Sequence, residues 1–185
     1  MTDFRPICDF WILARSKVKY YGAYPAGFME RARALLGVNI NDTVLHVCSG
    51  QVRQYPFKGL GRYDLTLDAD PLQFPDILHD AQVGPYPVFV ENTGAPGGCP
   101  RPPQACLCDP PYSEEDALKY AHKAYPVPSR ILKAAGLSVP IGGRVGFLHY
   151  SVPRPPKWMR PVAYVSVMVG YENKLRAYSV FERME

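Results

Sequence analysis

Apolar positions recur at helical spacing after Gly27. Phe28, Ala32, Leu35 and Leu36 share one face, and Gly37 supplies a stop, which predicts a first helix. Ahead of it, Phe10 to Ala14 is apolar and Arg15 to Lys19 is basic. Tyr20-Tyr21-Gly22-Ala23-Tyr24-Pro25 reads as a shaped loop, because Gly22 and Pro25 interrupt regular structure. Thr43 to Cys48 is an unbroken apolar run with one histidine, the pattern of a buried strand, and Ser49-Gly50 ends it. Asp64 to Asp68 is a second short strand, closed by Asp70-Pro71. Pro75 to Ala81 is a short mixture of polar and apolar residues.

Residues 84–104 form a Gly/Pro-rich insertion in which only Val88-Phe89-Val90 looks like a strand. A loop of that length inside a domain points to function or mobility. Ala105 to Cys108 is a third core strand running into Asp109-Pro110-Pro111-Tyr112. Ser113 then caps a helix to about Ala124, with Asp116 three residues on in a near capping box. Ser129 is expected to cap a further helix through Ala135, ended by Gly136. Arg144 to Tyr150 reads as a strand. Val162 to Val169 and Leu175 to Glu182 read as an antiparallel hairpin. The alternation predicts one α/β domain over residues 1–185, with a mainly parallel central sheet, helices on both faces and an antiparallel hairpin at or near one edge.

Composition sharpens this picture only in places. The 185 residues include 20 prolines and 13 tyrosines, so many turns are fixed. The net charge is +4, and it is unevenly spread: residues 1–113 carry 10 Lys/Arg against 11 Asp/Glu, residues 114–185 carry 11 against 6. A positive second half helps a polyanion approach. The five cysteines are an odd number, and no signal peptide precedes them, which suggests reduced thiols and a cytoplasmic protein. Cys99, Cys106 and Cys108 lack a paired metal-ligand spacing, so no metal is expected. No apolar run reaches the length of a membrane span.

The chemistry concentrates at Asp109-Pro110-Pro111-Tyr112. Ligands of open parallel sheets bind at the carboxyl ends of strands, where this tetrapeptide sits. Two prolines fix two φ angles and remove two donors, so the loop presents carbonyl acceptors. Asp109 adds a carboxylate and Tyr112 an aromatic face. The set suits a planar ring bearing an amino group: the ring stacks, and the two amino hydrogens go to the carboxylate and a proline carbonyl. The nitrogen lone pair is then localised and aimed. The alternative is a Pro-Pro-Tyr docking peptide for a partner domain.

The tetrapeptide resembles the DPPY motif of the S-adenosylmethionine-dependent amino-methyltransferases that act on adenine N6 or cytosine N4. Val44-Leu45-His46-Val47-Cys48-Ser49-Gly50 is similar to their first motif, the strand and turn that cradle the cofactor. Tyr24-Pro25-Ala26-Gly27-Phe28 is similar to their YPA-x-F motif beside the methionine end of the cofactor. The resemblance implies a Rossmann-like methyltransferase fold with S-adenosyl-L-methionine as cofactor. It implies methylation of an exocyclic amino group of a nucleic-acid base, in the first place adenine N6 in DNA. An RNA or small-molecule amino-methyltransferase, or a non-catalytic subunit of the same fold, are the alternatives.

Carried over residue by residue, Asp109, Pro110, Pro111 and Tyr112 are catalytic. Tyr24, Pro25, His46, Cys48, Ser49 and Gly50 contact the cofactor. Asp68, followed by Ala69, takes the ribose hydroxyls, and Asp80 and Ala81 take the adenine. The chain differs from the family where His46 replaces an acid and Val52 a second glycine, so His46 reads either as a cofactor contact or as a core histidine. The family usually carries a separate recognition domain, for which 185 residues leave no room. Substrate contact is therefore expected from loops: Tyr86 and Arg101 in the insertion, and Arg154, Lys157, Trp158 and Arg160 in the proline-rich segment 152–161, where cations beside an aromatic suit phosphates and bases. Tyr20, Tyr21 and Tyr24 are a further stacking surface or packing. Nucleic acid, DNA rather than RNA, is the expected partner, with a homodimer or a second subunit helping recognition.

Overall fold

The computed structural model describes residues 4–16, 23–54, 60–88, 102–121, 124–170 and 174–185. Among them are strands β1 (Ile7–Leu13), β2 (Val44–Val47), β3 (Leu65–Asp68), β4 (Ile77–Leu78), β5 (Ala105–Cys108), β6 (Arg144–His149), β7 (Met159–Val169) and β8 (Leu175–Arg183), and helices α1 (Phe28–Leu36), α2 (Glu114–Ala121) and α3 (Pro128–Leu137). The strands make one sheet in the order β1-β7-β8-β6-β5-β2-β3-β4. Strands β6, β5, β2, β3 and β4 run parallel, β8 is antiparallel to both β6 and β7, and β1 lies parallel to β7 at the edge. The expected hairpin is therefore β7–β8, one strand in from the edge.

Alternation along the strands sorts side chains between two cores. Val44, Ala105, Leu107, Leu148, Tyr178 and Val180 face the α1 side, against Phe28, Ala32 and Leu36. Leu45, Val47, Cys106, Cys108, Val145 and Phe147 face the α3 side, against Ile131, Leu132 and Ala135. Helices thus cover both faces, as the alternation predicts. The central strands are buried on both sides, which is why they read as continuous apolar runs.

The differences from the sequence reading are local. The strand β1 was not expected, because only Trp11 and Leu13 of its seven residues are buried and no alternation stands out. The two-residue β4 is too short to show a period. Helix α3 starts at Pro128 with Val127 ahead of it and no side-chain cap; a proline in the first turn lacks the N–H a cap would satisfy, so Ser129 is not needed. Gly136 lies buried inside that helix, which ends at Leu137. Ser113 does cap α2, its Oγ accepting from Asp116 N–H at 3.1 Å; the described part of the helix reaches Ala121, residues 122 and 123 lie outside the described residues, and Ala124 is not helical. Val88 lies in a turn; Phe89 and Val90 fall outside the described residues. Among the described residues no helix is long and apolar enough to cross a membrane.

Gly146 in β6 lets Tyr178 of β8 lie flat across the sheet. A Cβ there would sit 2.8 Å from Tyr178 Cε2, and that ring packs in turn on Phe28 and Trp11. Gly146→Ala is expected to cost about 1–3 kcal/mol through overpacking. Thermal unfolding should show a midpoint several degrees lower; an unchanged midpoint would mean the ring moves without cost.

Candidate active site at the switch point of the sheet

After β2 the chain adds β3 and β4 on one side, then crosses back to lay β5 on the other. A reversal of that kind opens a crevice at the carboxyl ends of the two central strands. The residues after β2 and after β5 stand at those ends.

On the β2 side the chain turns sharply. Cys48 and Gly50 both have positive φ, 56° and 48°, a conformation glycine adopts without a Cβ penalty. The Ser49 N–H donates to Leu67 O at 3.1 Å. Gly50 N–H donates to Asp68 Oδ2 at 2.9 Å, and Asp70 N–H to Asp68 Oδ1 at 3.0 Å. The turn and the acid at the end of β3 are thereby one unit. Burial raises the Asp68 carboxyl above its usual range, opposed by the N–H groups of Asp70, Gly50 and Ala69. A carboxylate offers about four lone-pair sites, so Asp68 can still accept from hydroxyls. Beyond β4, Asp80 is exposed and accepts from Gln82 N–H at 2.9 Å, and Ala81 is buried. The Cys48 thiol is raised by burial first and then by the charges of Asp68, Asp109 and Asp80.

On the β5 side, Asp109 N–H donates to Val47 O at 3.2 Å, fastening the Asp109–Tyr112 loop to β2. Tyr112 donates its hydroxyl to Asp109 Oδ1 at 2.5 Å. Burial pushes the Asp109 carboxyl up to about 6, with the Tyr112 hydrogen bond and the Arg176 charge opposing it. Pro110 is buried and Pro111 half-buried. Tyr24 stacks on Phe28 at 5.1 Å with its ring buried. Its hydroxyl is raised by burial first and by the Asp109 charge second. Pro25 O accepts Phe28 N–H at 3.1 Å and starts α1 beside the site.

Five residues at the same end of the sheet are not legible in the sequence. His149, the last residue of β6, meets Tyr112 edge-on at 5.4 Å, and Tyr150 lies 4.8 Å from the same ring. Ser151 N–H donates to His149 Nδ1 at 3.1 Å, which assigns the ring proton to Nε2, 3.0 Å from the Tyr125 hydroxyl. Burial lowers the His149 pKa. Arg176 of β8 sets its guanidinium 5.4 Å from the Tyr112 ring centre. The usable signal was position alone: His149 ends a parallel strand, where ligands of such sheets bind.

Other expected site residues lie elsewhere. His46 is buried with Nε2 3.0 Å from Asp64 Oδ2, on the α1 side of the sheet. It is a core histidine rather than a cofactor contact, because a polar ring inside a strand must find a buried partner. Tyr86 is 2 % exposed, and its hydroxyl donates to Ala81 O at 2.7 Å. That ring is core, not a substrate surface. The segment 152–161 returns to the amino ends of the parallel strands, because β7 runs in the same direction as β6. Trp158 therefore packs by Arg183, and Arg160 pairs with Glu182 at 2.8 Å, both at the end of the sheet opposite Asp109. Lys157 adjoins them, and Arg154 is exposed on the way. Arg101, Tyr20 and Tyr21 lie outside the described residues.

Strand order, strand directions and a site at the switch point define a Rossmann-like α/β protein. No family model matches the chain, and no curated protein matches it by sequence. Among solved structures it is similar to TrmN from Thermus thermophilus, with a TM-score of 0.55 at 15 % identity over 84 % of this chain and 48 % of TrmN. The chain thus spans about half of TrmN. A Streptococcus thermophilus protein described as a candidate hemolysin gives 0.54 at 12 %, over 92 % and 69 % of the two chains. An rRNA methylase from Streptococcus thermophilus gives 0.46 at 10 %, over 88 % and 100 %. At these identities the likeness concerns the fold.

Proposed function

We propose that this chain is an S-adenosylmethionine-dependent methyltransferase acting on an exocyclic amino group of a nucleic-acid base. The observation that carries the reading is the meeting of Asp109-Pro110-Pro111-Tyr112 with the Cys48–Gly50 turn and Asp68 across one crevice. Asp68 ends β3, Asp80 follows β4 and Asp109 follows β5, so this half of the sheet's carboxyl end offers carboxylates, with the proline carbonyls beside Asp109 as further acceptors. The donors of such a cofactor (ribose hydroxyls, two amino groups and a positive sulfur) are complementary to that set. When bound, the cofactor supplies an electrophilic methyl group. Asp68 would hold it by the ribose, and Asp80 by the adenine.

The chain's own work is on the amine. Asp109 accepts one amino hydrogen beside the Tyr112 hydroxyl, and the carbonyl of Pro110 accepts the other. Held so, the nitrogen lone pair leaves the ring system and points toward the turn. Asp109 also receives the proton that the methylated nitrogen sheds. No nucleophilic cysteine takes part: Cys106 and Cys108 are buried in the α3 core, and burial raises both thiols.

The test is incubation with methyl-labelled cofactor and separate DNA, RNA and single-stranded pools, followed by nucleoside analysis. Label on an amino nitrogen of a base supports the reading; label on none of the pools overturns it. Separately, Asp68→Ala should weaken cofactor binding in calorimetry by about tenfold to a hundredfold, the worth of a charge-assisted hydrogen bond or two. Unchanged affinity would remove Asp68 from the site.

A further inference from the structure

The carboxyl end of the sheet is electrically divided. Asp68 ends β3, and Asp80 and Asp109 follow the ends of β4 and β5. Over the other half stand Arg15, Lys174 and Arg176. Their placement follows from strand register. Leu13 pairs with Val169, Gly170 N–H donates to Leu13 O at 3.0 Å, Met168 pairs with Leu175 and His149 with Ala177. The ends of β1, β6 and β7 and the start of β8 are therefore level. Arg15 stands just beyond the end of β1, Lys174 just before β8, and both are exposed. Ala26 N–H donates to Ala14 O at 3.0 Å, which joins Arg15 to the Tyr24-Pro25 segment of the crevice. Arg176 reaches the Tyr112 ring, and Tyr150 beside that ring is 44 % exposed.

We propose that Arg15, Lys174, Arg176 and Tyr150 form a track for a single-stranded polynucleotide, with phosphodiesters on the three cations and a base against Tyr150, leading to Asp109. It deepens the reading of Asp109 as the acceptor of a base amine and rests on it for the direction of the strand. Cations interleaved with an open aromatic are what a single strand needs, since each base offers a stacking face and each linkage a charge. A paired base would first have to leave its stack, at a cost that a single strand does not meet.

The test is fluorescence anisotropy of labelled 12-nucleotide DNA and RNA strands on the intact chain, without cofactor. The double variant Arg15→Glu/Lys174→Glu should bind about tenfold or more weakly at 0.1 M salt, with a salt slope lower by about 1.4. Tyr150→Ala should lose about fivefold to a hundredfold. Arg154→Glu/Lys157→Glu, toward the other end of the sheet, should bind as the parent does. Thermal unfolding checks that each variant is folded, and Arg15→Gln and Lys174→Gln replace the reversals if one is not. Unchanged binding by the track variants, or equal loss from the Arg154/Lys157 pair, overturns the proposal. So does heparin binding that matches strand binding and ignores Tyr150→Ala. Strand binding through the track with no methyl transfer would instead sink the proposed function and leave the track standing.

Discussion

Asp109→Asn is expected to lose methyl transfer by about 10²–10³-fold, the usual worth of one preorganised group at the reacting atoms, and to gain stability at neutral pH. The two effects share a cause. Burial raises the carboxyl to about 6, against about 3.9 in an unfolded chain. A carboxyl whose folded value is raised favours the folded state at low pH, and that contribution is lost as pH rises. Here the loss starts near pH 4 and is complete above about 6. The charged form then costs on the order of 2–3 kcal/mol. Asparagine carries no charge and still accepts the Tyr112 hydroxyl. The variant should therefore unfold at a higher temperature than the parent at pH 7.5, with the gap closing toward pH 4. In the parent, transfer should fall as pH drops through about 6, because a protonated Asp109 cannot take the amine's hydrogen. Full activity in the variant, or a stability gap that ignores pH, would remove Asp109 from its role.

What the sequence discloses depends on how local the cause is. The strands Val44–Val47 and Ala105–Cys108 are legible because burial on both faces demands apolar residues throughout. The strand Ile7–Leu13 is not, since the side chains of an edge strand answer to solvent. The DPPY loop is legible because its chemistry is contiguous. His149 and Arg176 are not: their place beside Tyr112 arises from the pairing of β6 with β8, which no short window contains. The proline-rich segment misled for a related reason. Its composition suits nucleic acid, but its place is set by the direction of β7, which sends Trp158 and Arg160 to the far end of the sheet. His46 is the instructive middle case. A polar residue in a buried strand announces that a partner exists, but the partner, Asp64, is 18 positions away and enters from the loop before β3.

That partner is the second large expectation: Asp64→Ala should destabilise the domain by about 3–5 kcal/mol. Asp64 is 2 % exposed. Its Oδ1 accepts from Arg33 Nη1 at 3.0 Å and from Val44 N–H at 3.0 Å. Its Oδ2 accepts from Arg33 Nη1 at 2.8 Å, from Gly61 N–H at 2.7 Å and from His46 Nε2 at 3.0 Å. One carboxylate thus ties α1, Val44 and His46 of β2 and the loop before β3. Removing it leaves a buried guanidinium without its counter-charge and two backbone donors without acceptors, which is why the loss exceeds that of an ordinary ion pair. Domains of this size are stable by about 5–15 kcal/mol, so much of the total is at stake. Burial pushes the Asp64 carboxyl up, but the His46 hydrogen bond, the His46 and Arg33 charges and the Gly61 N–H outweigh it and hold the carboxyl below its usual range. Its stabilisation is therefore full above the unfolded value and is lost as pH falls through the folded one, so the parent should shed stability in acid that the variant never had. Urea unfolding at pH 7 and pH 3 measures both terms. A variant with the parent's midpoint at pH 7 would show that α1 is held to the sheet by its apolar face alone.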